Sequence, residues 1–130
     1  MTHKPRLMVV DNEIDVCNFV KSFFEARGFV VSTALNGDEA MAKLDGDKPD
    51  LILLDVMMRH ETEGLEYLPQ IKKKSPNSKV IMVTGVEDAD AIEAAKQTGA
   101  DDYITKPLVL EYLETTVLEK IKHLSRAGKA

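Results

Sequence analysis

Short apolar runs alternate along the chain with longer stretches in which apolar residues recur at three- and four-residue steps. The runs are rich in aliphatic and β-branched residues, as is typical of strands that are buried on both faces. They predict five strands, over residues 7–10, 29–33, 51–54, 80–83 and 103–105.

The stretches between these runs predict helices, because their apolar residues fall on one helical face. The predicted helices cover residues 14–27, 38–44, 65–74, 88–98 and 110–124. Glycine or proline follows several of them, and both residues commonly end helices. The chain therefore consists of five strand–helix units.

Strands that alternate with helices in this way favour a parallel sheet covered on both faces by right-handed crossovers. The predicted fold class is α/β, a doubly wound parallel sheet. With 130 residues the chain has the size of one domain. We place that domain at residues 6–125, with an N-terminal extension at 1–5 and a C-terminal tail at 126–130.

Composition narrows the classes of function. Apolar residues make up 44% and charged residues 30%, and no apolar run is long enough to span a membrane. The N-terminus lacks the features of a signal peptide, and Cys17 is the only cysteine, so we expect a reducing cytoplasm. The net charge of −5 argues against direct binding of nucleic acid and favours protein or cation partners.

Polar residues stand where four of the predicted strands end. Asp11 follows the first strand, Asp55 the third, Thr84 the fourth, and Lys106 comes just after the fifth. Taken singly, each has an ordinary structural explanation, such as an aspartate that caps the next helix. Ligands of doubly wound sheets bind at the carboxyl ends of the strands, however, so these side chains converge. Two carboxylates, a hydroxyl and an ammonium suit a magnesium ion and a phosphoryl group.

Other common chemistries lack their residues. The chain contains no G-x-x-x-x-G-K-[ST] or G-x-G-x-x-G loop for nucleotides and no G-x-S-x-G hydrolase motif. Cys17 lies on the apolar face of the first predicted helix, where a core residue is the simpler interpretation.

Four motifs together identify a family. They are VVDNE at 9–13, LLDVMM at 53–58, VTG at 83–85 and GADDYITKP at 99–107. In this order and spacing they resemble the receiver domain of two-component response regulators, in which a histidine kinase passes a phosphoryl group to an aspartate. The resemblance implies a flavodoxin-like fold with five helices and strand order 2-1-3-4-5.

The resemblance also implies a role for individual residues. Asp55 matches the phosphoacceptor and Asp11 an acidic residue beside the metal, while Thr84 and Lys106 match the residues that contact the phosphoryl group. The remaining matches are the switch aromatic Tyr103, the metal-binding backbone carbonyl of Met57, and a cis peptide bond between Lys106 and Pro107.

The implied cofactor is Mg²⁺, and the implied phosphodonor is a histidine kinase or a phosphotransfer protein. Phosphorylation would switch the surface formed by residues 88–124 for a downstream protein or a covalently linked output domain. Homodimerisation is compatible with the sequence. Such a protein is not a conventional enzyme, since it catalyses only its own magnesium-dependent phosphorylation and slow autodephosphorylation.

Asn12 departs from the family pattern, which usually has a second acid at this position. An amide oxygen can still bind a metal, but one formal charge is lost beside the cation. We therefore expect magnesium to bind more weakly than it would to an Asn12→Asp variant.

The segment after Asp55 is a second departure. Arg59 occupies the usual place of a proline, and Gly64 comes nine residues after Asp55 instead of eight. We expect a longer and freer loop in which Arg59 and His60 are ordinary solvated residues. Apolar residues at Met57 and Val86, the positions that can screen the attacking water, predict a long-lived phosphoryl group.

Two other functions remain open at this point. Asn12 and the altered loop are compatible with a receiver fold that binds proteins without being phosphorylated. A flavodoxin-like cofactor binder is a third class, and the acidic first loop, VVDNEID, disfavours it because it lacks residues that would cradle a phosphate.

Overall fold

The computed structural model describes residues 4–85 and 89–127, in which five strands and five helices alternate. The strands are β1 (Arg6–Val10), β2 (Val30–Ala34), β3 (Leu51–Asp55), β4 (Lys79–Thr84) and β5 (Asp102–Thr105). The first four helices are α1 (Ile14–Glu25), α2 (Gly37–Asp47), α3 (Glu63–Lys74) and α4 (Ala89–Thr98). The last, α5, joins the α-helical segments Leu110–Tyr112 and Leu118–Ala127 through a π-helical turn at Leu113–Val117.

The strands form one parallel sheet in the order β2-β1-β3-β4-β5. This confirms the α/β class, the parallel pairing and the strand order. The carboxyl ends of β1, β3, β4 and β5 therefore lie side by side along one edge. No helix among the described residues is long and apolar enough to cross a membrane.

Both faces of the sheet are buried, which explains the continuous apolar strands. Leu7 and Val9 of β1 pack under α1 and α5, whereas Met8 and Val10 pack on the opposite face under α2 and α3. All four are at most 2% exposed. Burial of each aliphatic side chain contributes about 1.5–3 kcal/mol to the stability of the fold. The central strands are therefore well packed and fix the position of the residues at their carboxyl ends.

The helix ends differ from the sequence predictions by a few residues. The structure begins α3 at Glu63 instead of residue 65, and α2 continues to Asp47. Gly28 (φ 89°) and Gly99 (φ 111°) lie beyond the ends of α1 and α4, in the left-handed region that favours glycine. The predicted start of the fourth helix at residue 88 lies outside the described residues.

Candidate functional site

The residues at the ends of four strands, Asp11, Asp55, Thr84 and Lys106, lie along the carboxyl edge of the sheet. Asp11, Asp55 and Thr84 are 3%, 2% and 2% exposed. Lys106 is joined to β4, because its backbone N–H donates to the Thr84 carbonyl at 2.8 Å. The predicted convergence is confirmed for the side chains of Asp11, Asp55 and Lys106, and Thr84 lies beside them at the end of β4.

Lys106 contacts both carboxylates. Its Nζ lies 2.9 Å from Asp55 Oδ2 and 3.1 Å from Asp11 Oδ2. Two buried carboxylates so close together repel each other, and the ammonium offsets that repulsion. Both carboxylates are therefore directed at the same atom, Lys106 Nζ, which lies between them.

Asp11 is fixed by its own loop and by α1. Its Oδ1 accepts from the backbone N–H of Glu13 at 2.9 Å, and its carbonyl accepts from the thiol of Cys17 at 3.3 Å. The prediction that Cys17 is a core residue is confirmed. Burial, with the nearby Asp11 charge, raises the pKa of this thiol to about 11, so the thiol stays protonated and inert at neutral pH.

Burial and the contact with Lys106 shift the pKa of Asp55 in opposite directions. Burial raises the pKa of Asp55 to about 6, although the hydrogen bond from Lys106 lowers it. Burial alone lowers the pKa of Lys106, but its hydrogen bond to Asp55 and the nearby carboxylate charges raise the pKa above its ordinary value. The lysine therefore stays charged, and Asp55 is ionised at neutral pH.

The donor set fits a hard divalent cation. Magnesium typically uses one or two carboxylates together with carbonyl oxygens and waters, and Asp11 and Asp55 already converge on one cationic atom. Within residues 4–85 and 89–127 there is no cluster of three or more His, Cys, Asp or Glu side chains that suits a metal. A bound ion would therefore depend on these two carboxylates and on neighbouring oxygens.

Asn12 and Met57 lie at the border of this site. Asn12 is exposed, and its amide group donates to the Met58 carbonyl at 3.2 Å, which ties the first loop to the segment after β3. The backbone N–H of Met57 donates to Asp55 Oδ1 at 3.3 Å, and the Met57 side chain is 56% exposed.

The segment after Asp55 is held in place by hydrogen bonds, so the expectation of a freer loop is wrong. Arg59 is exposed to solvent, as expected, but its side chain also forms an ion pair. Glu63 is buried, and its carboxylate accepts from the Arg59 backbone N–H at 2.8 Å and from Arg59 Nη2 at 2.6 Å. It also accepts from the backbone N–H of Gly37 at the start of α2, at 3.1 Å. We call Arg59, Glu63 and the Gly37 N–H the loop clamp. It links the loop to a neighbouring helix.

The ion pair with Arg59 keeps Glu63 charged despite burial. Hydrogen bonds from Arg59 lower the pKa of Glu63 to about 2, although desolvation opposes them. Asp38 extends the cluster, since it accepts from Arg59 at 3.2 Å and from the Tyr67 hydroxyl. His60 Nδ1, by contrast, lies 3.4 Å from an exposed Glu66 and takes no part in the clamp.

Gly64 allows the clamp and the site to lie close together. A Cβ atom at Gly64 would be 2.0 Å from the Asp55 carbonyl oxygen, and the Gly64 N–H donates to the Val56 carbonyl at 2.8 Å. Any larger residue would displace the backbone that carries Asp55. The glycine is required here even though it comes one position later than the family pattern.

Tyr103 lies on β5, with a lysine of α4 and a lysine of α5 near its ring. It is half-buried against the second core face, and the ammonium groups of Lys96 and Lys120 each lie 5.7 Å from its ring centroid. Lys120 also bonds Asp102 at 3.0 Å. Tyr103 is therefore placed where α4, β5 and α5 meet. The Lys106–Pro107 peptide bond, at the end of β5, is cis.

Exposed apolar side chains lie in the segments that follow β1, β3 and β5, close in sequence to the carboxylates and Lys106, and we call them the apolar rim. Ile14 and Met57 are 59% and 56% exposed, and Val109 and Leu110 are about half exposed. A cavity of about 410 Å³ opens between α1 and the segment after Lys106, with Phe19 and Val109 in its lining.

Together, this fold and its site define a doubly wound α/β protein with a charged ligand site at the carboxyl edge of the sheet. The family model of the response regulator receiver domain matches residues 7–118. The chain therefore belongs to the receiver domain family of two-component signalling.

Individual relatives agree with this assignment. A chemotaxis protein CheY of Listeria monocytogenes is 40% identical over 114 residues, which cover 84% of this chain and 95% of that protein. The transcriptional regulatory protein ZraR of Klebsiella oxytoca is 33% identical over 117 residues, which cover 90% of this chain. A CheY-like receiver domain of Methanospirillum hungatei has a TM-score of 0.83 at 29% identity, covering 96% of this chain and 99% of that one.

The relatives differ in length. The chain spans nearly all of the CheY relative but only 26% of ZraR. Similar domains therefore occur both as short proteins and as parts of longer regulators.

Glu63 is the residue that sequence reasoning missed. The only local signal is an arginine four residues before a glutamate, but Arg59 lies in the loop before α3, so the pairing rule for helix surfaces does not apply to it. The burial of Glu63 and its bond to α2 depend on packing between distant segments, which such a signal does not reveal.

Proposed function

We propose that this chain is a phosphoacceptor receiver that takes a phosphoryl group onto Asp55. The observation that carries the proposal is the contact of Lys106 with both buried carboxylates, at 2.9 and 3.1 Å. The lysine is thus poised to exchange a carboxylate partner for a phosphoryl oxygen. Phosphoryl transfer depends mainly on such positioning and charge neutralisation.

The proposed step forms an acyl phosphate. A carboxylate oxygen of Asp55 attacks phosphorus, and the bond between phosphorus and the donor's imidazole nitrogen breaks. The imidazole leaves with the electron pair and takes a proton from solvent. Lys106 pairs with the phosphoryl oxygens, and the Thr84 hydroxyl donates a hydrogen bond to one of them.

Magnesium is the proposed cofactor, and it would neutralise the charge that builds up on the transferring phosphoryl group. Asp11 and Asp55 would hold it through their carboxylates, and Met57 through its backbone carbonyl. Asn12 would be at most a weak additional ligand, because its amide group is bonded to Met58.

The added charge would act on the outer elements of the fold. Movement of Thr84 toward the phosphoryl group would make room for Tyr103 to turn inward, and α4, β5 and α5 would change together. Tyr103 already borders both Lys96 and Lys120, so a change in its position would alter this face. A downstream protein or a linked output domain would read that change.

A protein phosphodonor fits the surroundings of the site. The exposed apolar rim formed by Ile14, Met57, Val109 and Leu110 can bury against an apolar helical surface, whereas a small donor has no need of it. We propose a histidine kinase or phosphotransfer protein as the donor, acting in the cytoplasm.

Acetyl phosphate with magnesium tests the proposal without knowledge of the kinase. The intact mass of the chain should increase by one phosphoryl group, and the increase should vanish in Asp55→Asn and on magnesium removal. Asp45→Asn, a change at a carboxylate that is 83% exposed, is the matched control and should label like the wild type. No labelling of the wild type would instead support a receiver fold that binds proteins without phosphorylation.

A further inference from the structure

Tyr112 of α5 contacts the strand that leads to Lys106. β5 is an edge strand, so the amides on its outer side have no strand partner. The Thr105 N–H lies on that side and donates to the Tyr112 hydroxyl oxygen at 3.1 Å. The next amide, that of Lys106, donates in the opposite direction to Thr84 on β4. The end of β5 is thus held from both sides immediately before the lysine.

The π-helical turn of α5 keeps the helix in register with the core. In this turn the Leu118 N–H donates to the carbonyl of Leu113, five residues earlier. Leu113, Val117 and Ile121 follow at four-residue steps, and all are fully buried. In a regular α-helix each such step would rotate the side chain by about 40° beyond a full turn. The wider turn corrects this drift.

Tyr112 directly precedes this turn and is held in place by the same packing against the core. Its ring packs against the core cluster that contains Leu113 and Val117, and its hydroxyl reaches Thr105. The bond therefore joins a firmly packed helix to the backbone of an edge strand.

We propose that Tyr112 is a positioning residue for Lys106, acting through the Thr105 amide. This inference deepens the proposed function and rests on it, because the lysine is the one that would pair with the phosphoryl group. Lys106 makes two contacts near 3 Å at once, so a shift of its backbone would disturb the geometry of this pair of contacts. A hydrogen bond of about 0.5–1.5 kcal/mol corresponds to a change of about twofold to tenfold in an equilibrium that depends on it.

Tyr112→Phe removes the hydroxyl and keeps the ring against the core. Tyr67→Phe is the matched control, since the Tyr67 hydroxyl bonds Asp38 at the exposed surface instead. Three quantities are measured in each protein by NMR: exchange of the Thr105 amide hydrogen, the ¹⁵N signal of the Lys106 ammonium without metal, and the affinity for beryllofluoride with magnesium. The affinity for magnesium alone is measured by calorimetry.

In Tyr112→Phe we expect faster exchange at Thr105 and a broadened Lys106 signal. Beryllofluoride affinity should fall by about twofold to tenfold, while the affinity for magnesium alone should not change, because Asp11 and Asp55 are untouched. Tyr67→Phe should match the wild type in all four measurements. If the hydroxyl had a purely structural role, its loss would not lower the affinity for beryllofluoride while leaving the affinity for magnesium unchanged.

Faster exchange at Thr105 with an unchanged Lys106 signal and unchanged beryllofluoride affinity would overturn the inference, since the hydroxyl would then serve only the edge strand. A general loss of stability, read from the urea midpoint, that weakens magnesium and beryllofluoride equally would also overturn it. If the wild type itself does not bind beryllofluoride, the proposed function fails, and the Lys106 signal in metal-free protein still decides whether Tyr112 positions the lysine.

Discussion

Asp55 illustrates at the scale of one residue how a functional group opposes folding. It is 2% exposed at the end of a buried strand, and burial raises its pKa to about 6. A carboxyl whose folded pKa lies above its unfolded value binds its proton more tightly in the folded state. Its contribution to stability is therefore complete below about pH 4 and is lost as the pH rises through about 6.

Asp55→Asn should consequently be more stable than the wild type at pH 7 in the absence of magnesium. The asparagine removes the buried charge, and we expect a gain of about 1–3 kcal/mol in the free energy of unfolding. The gain should be much smaller at pH 4, where the wild-type carboxyl is protonated. Urea unfolding at both pH values measures it, with Asp45→Asn as the exposed control. A loss of stability at pH 7 would contradict the electrostatic account.

Asn12→Asp tests whether the missing second acid beside Asp11 weakens magnesium binding. An added carboxylate beside the cation should tighten magnesium binding by about threefold to tenfold, because the site gains a charge that is only partly screened. Asn18→Asp adds the same charge at an exposed position of α1, away from the loop that holds Asn12, and should have little effect. Titration calorimetry compares the three proteins, and equal affinities in wild type and Asn12→Asp would refute the role given to Asn12.

At the scale of elements, the loop clamp holds the segment after β3 through an ion pair. Arg59 of this pair stands where receiver domains usually have a proline. The carboxylate of Glu63 is 1% exposed, whereas the Arg59 side chain is 49% exposed. Loss of the arginine would leave a buried charge with only backbone donors, which is costly. The loop between β3 and α3 therefore depends on a residue at its surface.

Arg59→Ala should lower the free energy of unfolding at pH 7, because the buried carboxylate of Glu63 would lose its ion-pair partner. The pKa of Glu63 is lowered to about 2, so the contribution of the pair is present above about pH 4.5 and is lost as the pH falls through about 2. Urea unfolding should thus show a smaller difference at pH 2 than at pH 7. Lys73→Ala, at an exposed basic residue of α3, serves as the control. Equal stability of Arg59→Ala and wild type at pH 7 would exclude the clamp.

The sequence predicts the elements better than their connections. Strands and helices follow from the periodicity of apolar residues, because burial of one face or of both imposes that pattern. The contacts of Glu63 and Tyr112 do not follow from it, since each joins segments whose distance depends on how the helices pack. The π-helical turn of α5 is equally hidden, because four-residue steps also occur in ordinary helices.

At the scale of the whole molecule, topology accounts for the site. Asp11, Asp55, Thr84 and Lys106 are far apart in sequence, yet parallel strands bring their carboxyl ends to one edge. Their convergence could therefore be predicted from strand order and position alone. The contacts of Lys106 with two carboxylates could not, because they depend on the side-chain conformation and on the backbone held by Thr84 and Tyr112.

Chemical trapping of the acyl phosphate would identify directly which carboxylate of the chain accepts the phosphoryl group. The chain is incubated with acetyl phosphate and magnesium, reduced with borohydride and digested, and the peptides are sequenced by mass spectrometry. Borohydride converts an aspartyl phosphate to homoserine, so the position of homoserine identifies the acceptor. We expect homoserine at position 55 and nowhere else. Homoserine at Asp11, or none in a folded chain that binds magnesium, would contradict this expectation.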